Sequence, residues 1–220
     1  MAKIDAFEHH INEYEHWFIE NRYAFESEVI AIKILLPQDG NGIEIGVGSG
    51  LFARELGLNI GLDPSPRMRL RAKERDILVT GGVAEFLPFK NAVFDYALMV
   101  TTICFVDDVY KTICEAHRVI KINGMLIVAM VDKLSPLGKL YRQHQGKSVF
   151  YRDAKFYSTK EIVQIMQQVG FHKFRFTQTI FRSLDQINKL DEVKDGYGQG
   201  SFVVISARKG KKNAQDSNLI

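Results

Sequence analysis

Gly42-Ile43-Glu44-Ile45-Gly46-Val47-Gly48-Ser49-Gly50 indicates the fold class of this chain more directly than any other segment. Its first half is short, apolar and β-branched, which is typical of a buried parallel strand. Gly46, Gly48 and Gly50 then alternate with other residues, and a backbone without Cβ atoms can turn sharply and let a ligand approach closely. A helix after such a turn directs unpaired N–H groups at the same place. The pattern predicts a strand, a ligand-binding turn and a helix.

An acidic residue at the end of the next apolar run completes this pattern. It is Asp63, in Gly61-Leu62-Asp63-Pro64-Ser65. A carboxylate about 20 residues beyond the first strand can hydrogen-bond the hydroxyls of a ribose. The turn and the acid together indicate a site for a nucleotide-type cofactor.

Two classes of cofactor use such a turn, the nicotinamide dinucleotides and S-adenosylmethionine (SAM). The dinucleotide fingerprint is G-x-G-x-x-G, but Leu51 stands at the place of its third glycine. Glu44 adds a negative charge at the strand end, which would repel a pyrophosphate and attract a ligand carrying ammonium and sulfonium groups. These residues favour SAM, with a nicotinamide-dependent oxidoreductase as an alternative.

Length and composition fit one globular domain with a sizeable core. The chain has 220 residues, of which 46% are hydrophobic and 25% charged. A net charge of +3 does not suggest a nucleic-acid or membrane partner. There is no apolar run long enough for a membrane span and no signal-peptide pattern, so we expect a cytoplasmic protein. The two cysteines and six histidines lack metal-ligand spacing, so we predict no metal.

Helical and strand-like patterns alternate along the chain after a helical N-terminal region. Residues 5–36 carry apolar stripes at helical spacing and predict two helices. Strands are predicted at 42–47, 59–63, 77–80, 94–100, 125–131, 171–180 and 201–208. Helices are predicted at 50–57, 66–74, 107–121 and 158–169, and a further helix followed by a flexible loop in 184–200. Such alternation gives a mostly parallel sheet covered on both faces, whose last two strands could pair antiparallel.

Two further blocks complete a recognisable order of motifs. They are Ala84-Glu85-Phe86-Leu87-Pro88-Phe89 followed by Phe94-Asp95, and Glu115-Ala116-His117-Arg118-Val119-Ile120-Lys121-Ile122-Asn123-Gly124-Met125. With the glycine turn and the Asp63 block, they resemble class I SAM-dependent methyltransferases over most of the chain, especially the ubiquinone/menaquinone-biosynthesis subgroup (methyltransferase type 11). The resemblance implies a Rossmann-like three-layer α/β sandwich. Its seven-stranded sheet has the order 3-2-1-4-5-7-6, with strand 7 antiparallel and N-terminal helices.

The resemblance also implies cofactor contacts. Gly46 and Gly48 would lie against the methionine part of SAM, with Glu44 near its ammonium group. Asp63 would hold the ribose hydroxyls, with Pro64 and Ser65 beside the adenosine. Ala84 and Glu85 would lie at the adenine edge, and Thr101 would lie at the methionine amino group. Tyr14 and Trp17 either cover the cofactor as a lid or belong to a buried stripe.

The sequence departs from the family pattern at two positions. Val83 stands where many relatives have an aspartate that accepts from the adenine amino group, so that contact is missing or supplied by Glu85. Asn123 stands where proline is usual before a glycine, and since asparagine also suits turns we expect the change to be neutral.

Two segments are predicted to bind the methyl acceptor. The first, 101–108, follows the fourth strand at the edge where open α/β sheets bind ligands, so Thr102, Cys104 and Phe105 are placed at the acceptor. Asp107 in the same segment is predicted to cap the next helix.

The second segment, 141–157, is aromatic and basic. It contributes Tyr141, Tyr151 and Tyr157 together with the cations Arg142, His144 and Arg152. This combination suits a flat or anionic small molecule, although a solvated loop also explains the charges. His144 is the histidine to test first as a catalytic base.

These inferences define a domain organisation and a function. We expect a single methyltransferase domain at 1–208, with an N-terminal helical lid at 1–36, a cofactor-binding core at 37–131, a substrate-side segment and last strands at 132–208, and a flexible polar tail at 209–220. The predicted reaction is in-line transfer of a methyl group from SAM to a small molecule, leaving S-adenosylhomocysteine (SAH). A non-catalytic SAM-binding regulator is the second alternative, and no nucleic-acid partner is expected.

Overall fold

The structure, a computed structural model, describes residues 4–210. The α-helices of this range are α1 (Asp5–His9), α2 (Ile11–Glu20), α3 (Arg22–Lys33), α4 (Leu51–Leu56), α5 (Pro66–Lys73), α6 (Val109–Val119), α7 (Pro136–Gln143) and α8 (Thr159–Val169). The strands are β1 (Gly42–Ile45), β2 (Ile60–Asp63), β3 (Leu78–Gly81), β4 (Phe94–Val100), β5 (Ile120–Val131), β6 (Phe171–Thr179), β7 (Lys194–Asp195) and β8 (Phe202–Lys209). Short 3-10 turns lie at Gln145–Lys147 and Leu184–Gln186.

All these strands form one sheet of order β3-β2-β1-β4-β5-β8-β6-β7. Strands β1 to β5 pair parallel, and β8 runs antiparallel to both of its neighbours, β5 and β6. The predicted Rossmann-like fold and strand order are therefore confirmed, with β8 as the antiparallel strand between β5 and β6. The two-residue β7, which the sequence did not predict, adds an edge beyond β6.

Each face of the sheet carries its own hydrophobic layer. Along β4, which is buried from Tyr96 to Val100, Ala97 and Met99 join the layer covered by α6 and α8, whereas Leu98 and Val100 join the layer covered by α3, α4 and α5. Successive side chains of a strand point to opposite faces, so a strand buried on both sides reads as an unbroken apolar run. This explains why β4 was recognisable from its sequence.

Polar caps fix where several helices begin. Ser65 caps α5 and is followed by proline at the first helical position, and Ser135 does the same for α7. Ser158 forms a capping box with Glu161 at the start of α8. Helix α7 lies in a stretch for which no helix was predicted, although Ser135-Pro136 is a start signal.

Two predictions about helix boundaries were wrong. The N-terminal region forms three helices rather than two, because the chain breaks at His10 and again at Asn21, whose side-chain amide donates to the Trp17 carbonyl at 3.0 Å. Helix α6 is capped by Asp108 rather than Asp107: its carboxylate accepts from the Lys111 amide at 3.0 Å.

The helix predicted within 184–200 does not form. Side chains tie this segment to its surroundings instead. The Asp191 amide donates to Ser27 Oγ at 2.9 Å, the Asp191 carboxylate accepts from the Phe181 amide at 2.6 Å, and Thr179 Oγ1 donates to the Glu192 carbonyl at 2.8 Å. These bonds to α3 and β6 compete with the backbone bonds of a helix.

Other predictions concern membranes, metals and the tail. Over residues 4–210, no helix is long and apolar enough to cross a membrane, and no group of histidine, cysteine or acidic side chains could hold a metal ion. Most of the predicted tail, residues 211–220, lies outside the described part of the chain. Lys209 is the last residue of β8, and its ammonium donates to the carbonyls of His117 and Ile120.

Candidate functional site

A cavity of about 280 Å³ opens at the carboxyl ends of β1, β2 and β4. In the sheet, β2 and β3 lie on one side of β1, and β4 lies on the other side. The cavity is therefore at the topological switch point, where such sheets bind ligands. Fourteen of the residues predicted to bind cofactor or acceptor line it: Tyr14, Trp17, Gly46, Gly48, Asp63, Pro64, Ser65, Ala84, Glu85, Thr101, Thr102, Phe105, Tyr141 and Tyr151.

The glycine turn forms the floor of the cavity. Gly46 has φ +75°, and a Cβ built on it would lie 2.4 Å from the Thr102 side chain. Gly48 has φ +55°, and its Cβ would lie 3.4 Å from Tyr14 Oη. Both positions combine a left-handed backbone with a close neighbour, so the absence of side chains keeps this part of the cavity open.

Gly50 has a different reason to be glycine. It has φ +85°, and a Cβ there would lie 2.4 Å from Ile77 Cδ1 and 3.2 Å from the Ala72 backbone. It does not line the cavity. Gly50 therefore permits the close packing of α4 against α5, and the expected ligand approach at this position is not seen.

Asp63 is held in place by the backbone of the turn. Its carboxylate accepts from the Gly48 amide at 2.8 Å and from the Ser65 amide at 2.9 Å. Burial raises the pKa of Asp63 to about 6, against the lowering effect of those two amides. The side chain is 7% exposed at the end of β2 and faces the cavity. Its hydrogen bonds fix the carboxylate, so it can receive a ligand without rearranging.

Glu44 lies under the turn rather than on the cavity wall. It is 1% exposed in β1, and its Oε2 atom has no hydrogen-bond partner among the described residues. Burial, and then the nearby charge of Asp63, raises its pKa well above the ordinary value, while the Ala53 amide lowers it in part. Glu44 would act on a ligand through its charge, since it does not line the cavity.

Glu85 is mainly engaged with the protein. Its Oε1 accepts from the amides of Asp107 and Asp108 at 2.7 and 3.2 Å, which holds the loop between β4 and α6. Val83 and Ala84 line the cavity beside it. The aspartate contact absent at Val83 is therefore not taken over by Oε1 of Glu85.

The end of β4 carries a backbone in an unusual conformation. Thr101 has φ +49°, which is rare for a β-branched residue and occurs mainly where the surrounding structure enforces it. The next residue, Thr102, places Oγ1 3.3 Å from the Gly46 carbonyl and 3.1 Å from that of Val100. The chain thus turns sharply where β4 meets the glycine turn, and both threonines reach the cavity.

Helices α1 and α2 cover the cavity. Tyr14 lies over Gly48, and Phe7 and Trp17 also line the cavity. Ser65 Oγ donates to the Glu8 carboxylate, and Glu15 forms an ion pair with Arg75 at 2.9 Å, so both helices are attached to residues that flank α5. Tyr14 and Trp17 can therefore be both lid and packing residues, because their side chains pack against the aromatic Phe18 and also line the cavity.

Aromatic side chains form a second part of the cavity wall. Tyr141 stacks on Tyr151 with ring centroids 4.6 Å apart, and Phe7 lies 5.0 Å from Phe105 and 5.6 Å from Phe150. These five residues, which we call the aromatic chamber, come from α1, the loop after β4, α7 and the loop before α8. Phe7 and Phe150 were not predicted as site residues, since nothing in their local pattern distinguishes them from core residues.

Four predicted site residues lie elsewhere, in addition to Gly50. Cys104 and Tyr157 border a separate small cavity, and Cys104 Sγ lies 3.0 Å from the Thr101 carbonyl. His144 is exposed at the end of α7, with its Nδ1 3.1 Å from the Leu140 carbonyl. Glu44 is buried beneath the wall. His144 therefore has no access to a reaction inside the cavity in this arrangement.

Every charged side chain that lines the cavity is acidic. These residues are Glu13, Glu20, Glu28, Asp63, Glu85 and Asp107, and no lysine, arginine or histidine within 4–210 joins them. The cations expected from the 141–157 segment, Arg142 and Arg152, face solvent instead. The expectation of a flat or anionic small molecule therefore lacks the cationic side chains on which its anionic part depended, and the acidic lining favours a cation over an anion.

Glu28, in α3, is a further lining residue that was not predicted. It is 5% exposed, and burial raises its pKa to about 8. A signal was present, because Phe25, Glu28, Val29 and Ile32 follow the i, i+3, i+4, i+7 spacing of one buried helix face. An acid on an apolar stripe is a candidate functional residue.

The residues present fit SAM. A positively charged ligand would offset three unfavourable features: the Glu44 oxygen without a hydrogen-bond partner, the buried carboxylate of Asp63 with its raised pKa, and the acidic wall. A pyrophosphate would instead add to the negative charge. The Gly46–Gly48 floor leaves room for a ligand against the backbone, and Asp63 offers acceptor oxygens to a ribose.

Comparisons with known proteins agree with this cofactor. A methyltransferase domain family matches residues 43–128. The chain is 48% identical to a SAM-dependent methyltransferase of Thermotoga maritima, described as a possible histamine N-methyltransferase; the match covers 94% of this chain and 99% of that one, with a TM-score of 0.92.

Two proteins known from sequence extend the comparison. An uncharacterised protein of Methanocaldococcus jannaschii is 43% identical over 206 residues, covering 94% of this chain and all of that protein. A ubiquinone/menaquinone biosynthesis C-methyltransferase of Rickettsia felis is 28% identical, and the match covers 79% of this chain and 69% of that protein. The resemblance and the cofactor predicted from the sequence motifs are confirmed.

Proposed function

Because the chain belongs to the SAM-dependent methyltransferases, we propose that it transfers the methyl group of SAM to a small organic molecule. One observation carries the proposal: a single cavity is lined both by the glycine floor with Asp63 and by the aromatic chamber. A donor at the floor and an acceptor in the chamber would meet inside it, covered by α1 and α2.

The chain's own residues would hold the donor and keep water away. Asp63 would bind the ribose hydroxyls, Gly46 and Gly48 would lie against the methionine part, and Thr101 would contact its amino group. Bound SAM supplies a methyl carbon already activated by a sulfonium. The protein is then left to align the acceptor and exclude water, and the buried aromatic chamber is suited to both tasks.

A dedicated catalytic histidine is not part of this proposal. No histidine within 4–210 lines the cavity, so a proton leaving the acceptor would pass to a lining carboxylate or to water. The cover of α1 and α2 over an acidic cavity also disfavours a nucleic-acid acceptor, whose phosphates would be repelled. A cytoplasmic location remains a prediction from the sequence.

Binding and turnover test the proposal separately. We expect SAM and SAH to bind in isothermal titration at roughly micromolar concentrations, and NADH not to bind. Methyl transfer, followed as SAH production, would be measured on a panel of amines, phenols, quinols and carboxylates. The panel includes histamine because of the description given to the Thermotoga maritima protein.

Three results are possible in this test. Turnover of any small molecule supports the proposal. SAH binding without turnover across the panel favours the non-catalytic regulator instead. Absence of SAH binding would contradict the assigned site as well as the reaction.

A further inference from the structure

The Glu28 carboxylate is buried and faces the cavity without a protein partner. It is 5% exposed, lines the cavity, and receives no hydrogen bond or ion pair from any residue in 4–210. A buried carboxylate without a partner is costly and is usually paired in folded proteins. Because it lines the cavity, this carboxyl group is available to a ligand that enters there.

The surroundings of Glu28 belong to the chamber end of the cavity. Burial raises the pKa values of Tyr141 in α7 and Tyr151 in the loop before α8, and the charge of Glu28 adds to both shifts. Asp63 and Glu44 lie at the glycine floor instead: Asp63 accepts from the Gly48 amide, and burial and then the charge of Asp63 raise the pKa of Glu44. The cavity thus has one acidic position beside the glycine floor and another, Glu28, that acts on Tyr141 and Tyr151.

The chemistry of the chamber selects a cation. Aromatic faces attract a positive charge, and a carboxylate with raised pKa gains most from a ligand that neutralises it. A carboxylate or phosphate ligand would meet only acidic groups among the charged side chains of the lining wall within 4–210. A neutral phenol could donate one hydrogen bond to Glu28 but would bring no positive charge to a buried carboxylate.

We propose that Glu28 binds the positively charged nitrogen of the methyl acceptor, which makes the acceptor a small organic amine. This rests on the proposed function for the statement that the ligand is a methyl acceptor. The amine would donate hydrogen bonds to Glu28 while its hydrocarbon part packs against Tyr141 and Tyr151. Glu28 is thus a specificity-determining residue at the chamber end.

The test measures amine binding directly, in the presence of saturating SAH. Phenethylamine and tryptamine are compared with 2-phenylethanol and 3-phenylpropanoate by isothermal titration against the full chain. We expect the amines to bind and their neutral and anionic counterparts to bind at least about tenfold more weakly. Glu28→Gln should weaken amine binding by a similar factor and leave SAH binding within about twofold.

Two further variants make the comparison specific. Glu26→Gln makes the same chemical change on the same helix, but Glu26 pairs with Arg22 at the surface, so its amine affinity should equal that of the wild type. Glu28→Asp keeps the charge and should retain part of the affinity that Glu28→Gln loses. Retained SAH binding reports that each variant is folded.

Several outcomes would overturn the assignment. Three of them concern the amines: amine binding that Glu28→Gln does not affect, an alcohol that binds as tightly as its amine, or failure of both amines to bind. The fourth is a loss of SAH affinity in Glu28→Gln, which would place Glu28 at the donor. Failure of the proposed function is recognised separately. It would appear as no SAH binding to the wild type, or as Glu28-dependent amine binding without methyl transfer to any acceptor.

Discussion

Glu28→Gln is expected to change how stability depends on pH. Burial raises the carboxyl pKa from 4.5 to about 8, so the folded protein holds this proton more tightly than the unfolded chain. As pH rises through that interval, the folded state must either keep the proton or bury a charge, and the wild type loses stability. Glutamine has the same shape and no proton to lose, so the variant escapes this loss.

The magnitude follows from the shift itself. Each pKa unit corresponds to ~1.4 kcal/mol, so the wild type loses about 5 kcal/mol from this group between pH 4.5 and 8. Water entering the cavity would reduce the loss. The stability of Glu28→Gln relative to wild type should therefore be constant below pH 4.5, rise by up to ~1.4 kcal/mol per pH unit, and level off above pH 8.

Urea unfolding of both proteins between pH 4 and 9 measures this difference. Other titrating groups, including Glu44 and Asp63, are common to both proteins and largely cancel. Glu26→Gln is the matched control, and its exposed pair with Arg22 predicts a change below ~1 kcal/mol with little pH dependence. A stability difference for Glu28→Gln that stays constant from pH 4 to 9 would refute the reasoning, since it would mean that Glu28 titrates alike in folded and unfolded chains.

Three further changes test other parts of the site. Asp63→Asn should weaken SAH binding by about 1.5 to 3 kcal/mol in isothermal titration, because a charged acceptor is lost; unchanged affinity would remove Asp63 from the ribose contact. Gly48→Ala and Gly57→Ala both place alanine at positive φ, so each should lower the unfolding free energy by ~1–2 kcal/mol. Only Gly48→Ala should also impair SAH binding, since nothing lies within 4 Å of a Cβ at Gly57. Asn123→Pro should lower the melting temperature by several degrees and Asn123→Gly should not, because Asn123 has φ +66°, which proline cannot adopt; equal melting temperatures would contradict this.

The cofactor end of the site was largely predictable because its residues are close in sequence to the strands that carry them. Glu44 pairs with Gly61 in the parallel register of β1 and β2, so the strand ends bring the glycine turn and Asp63 together. That adjacency follows from any right-handed crossover between neighbouring strands. The exception is Gly50, where the same residue type serves helix packing, which a one-dimensional pattern cannot distinguish from ligand approach.

The chamber end was less predictable because it is assembled from distant segments. Phe7, Phe105 and Phe150 meet only in the folded chain, and their separation in sequence gives no sign of it. His144 was favoured for its chemistry, yet its helix directs it to solvent. Glu28 could have been found, since it interrupts an apolar stripe, but its importance depends on the absence of a nearby cation, which only the structure reveals.

The attachment of α1 and α2 has a consequence for the kinetic order of the reaction. Tyr14 of α2 lies over the glycine floor, and Phe7 of α1 closes the chamber against Phe105 and Phe150, so one pair of helices covers both ends. Donor and acceptor would then have to enter, and both products leave, through the same opening event. Each entry or release of a ligand would require the contacts of Glu8 with Ser65 and of Glu15 with Arg75 to break. The residence times of the two ligands would therefore be coupled.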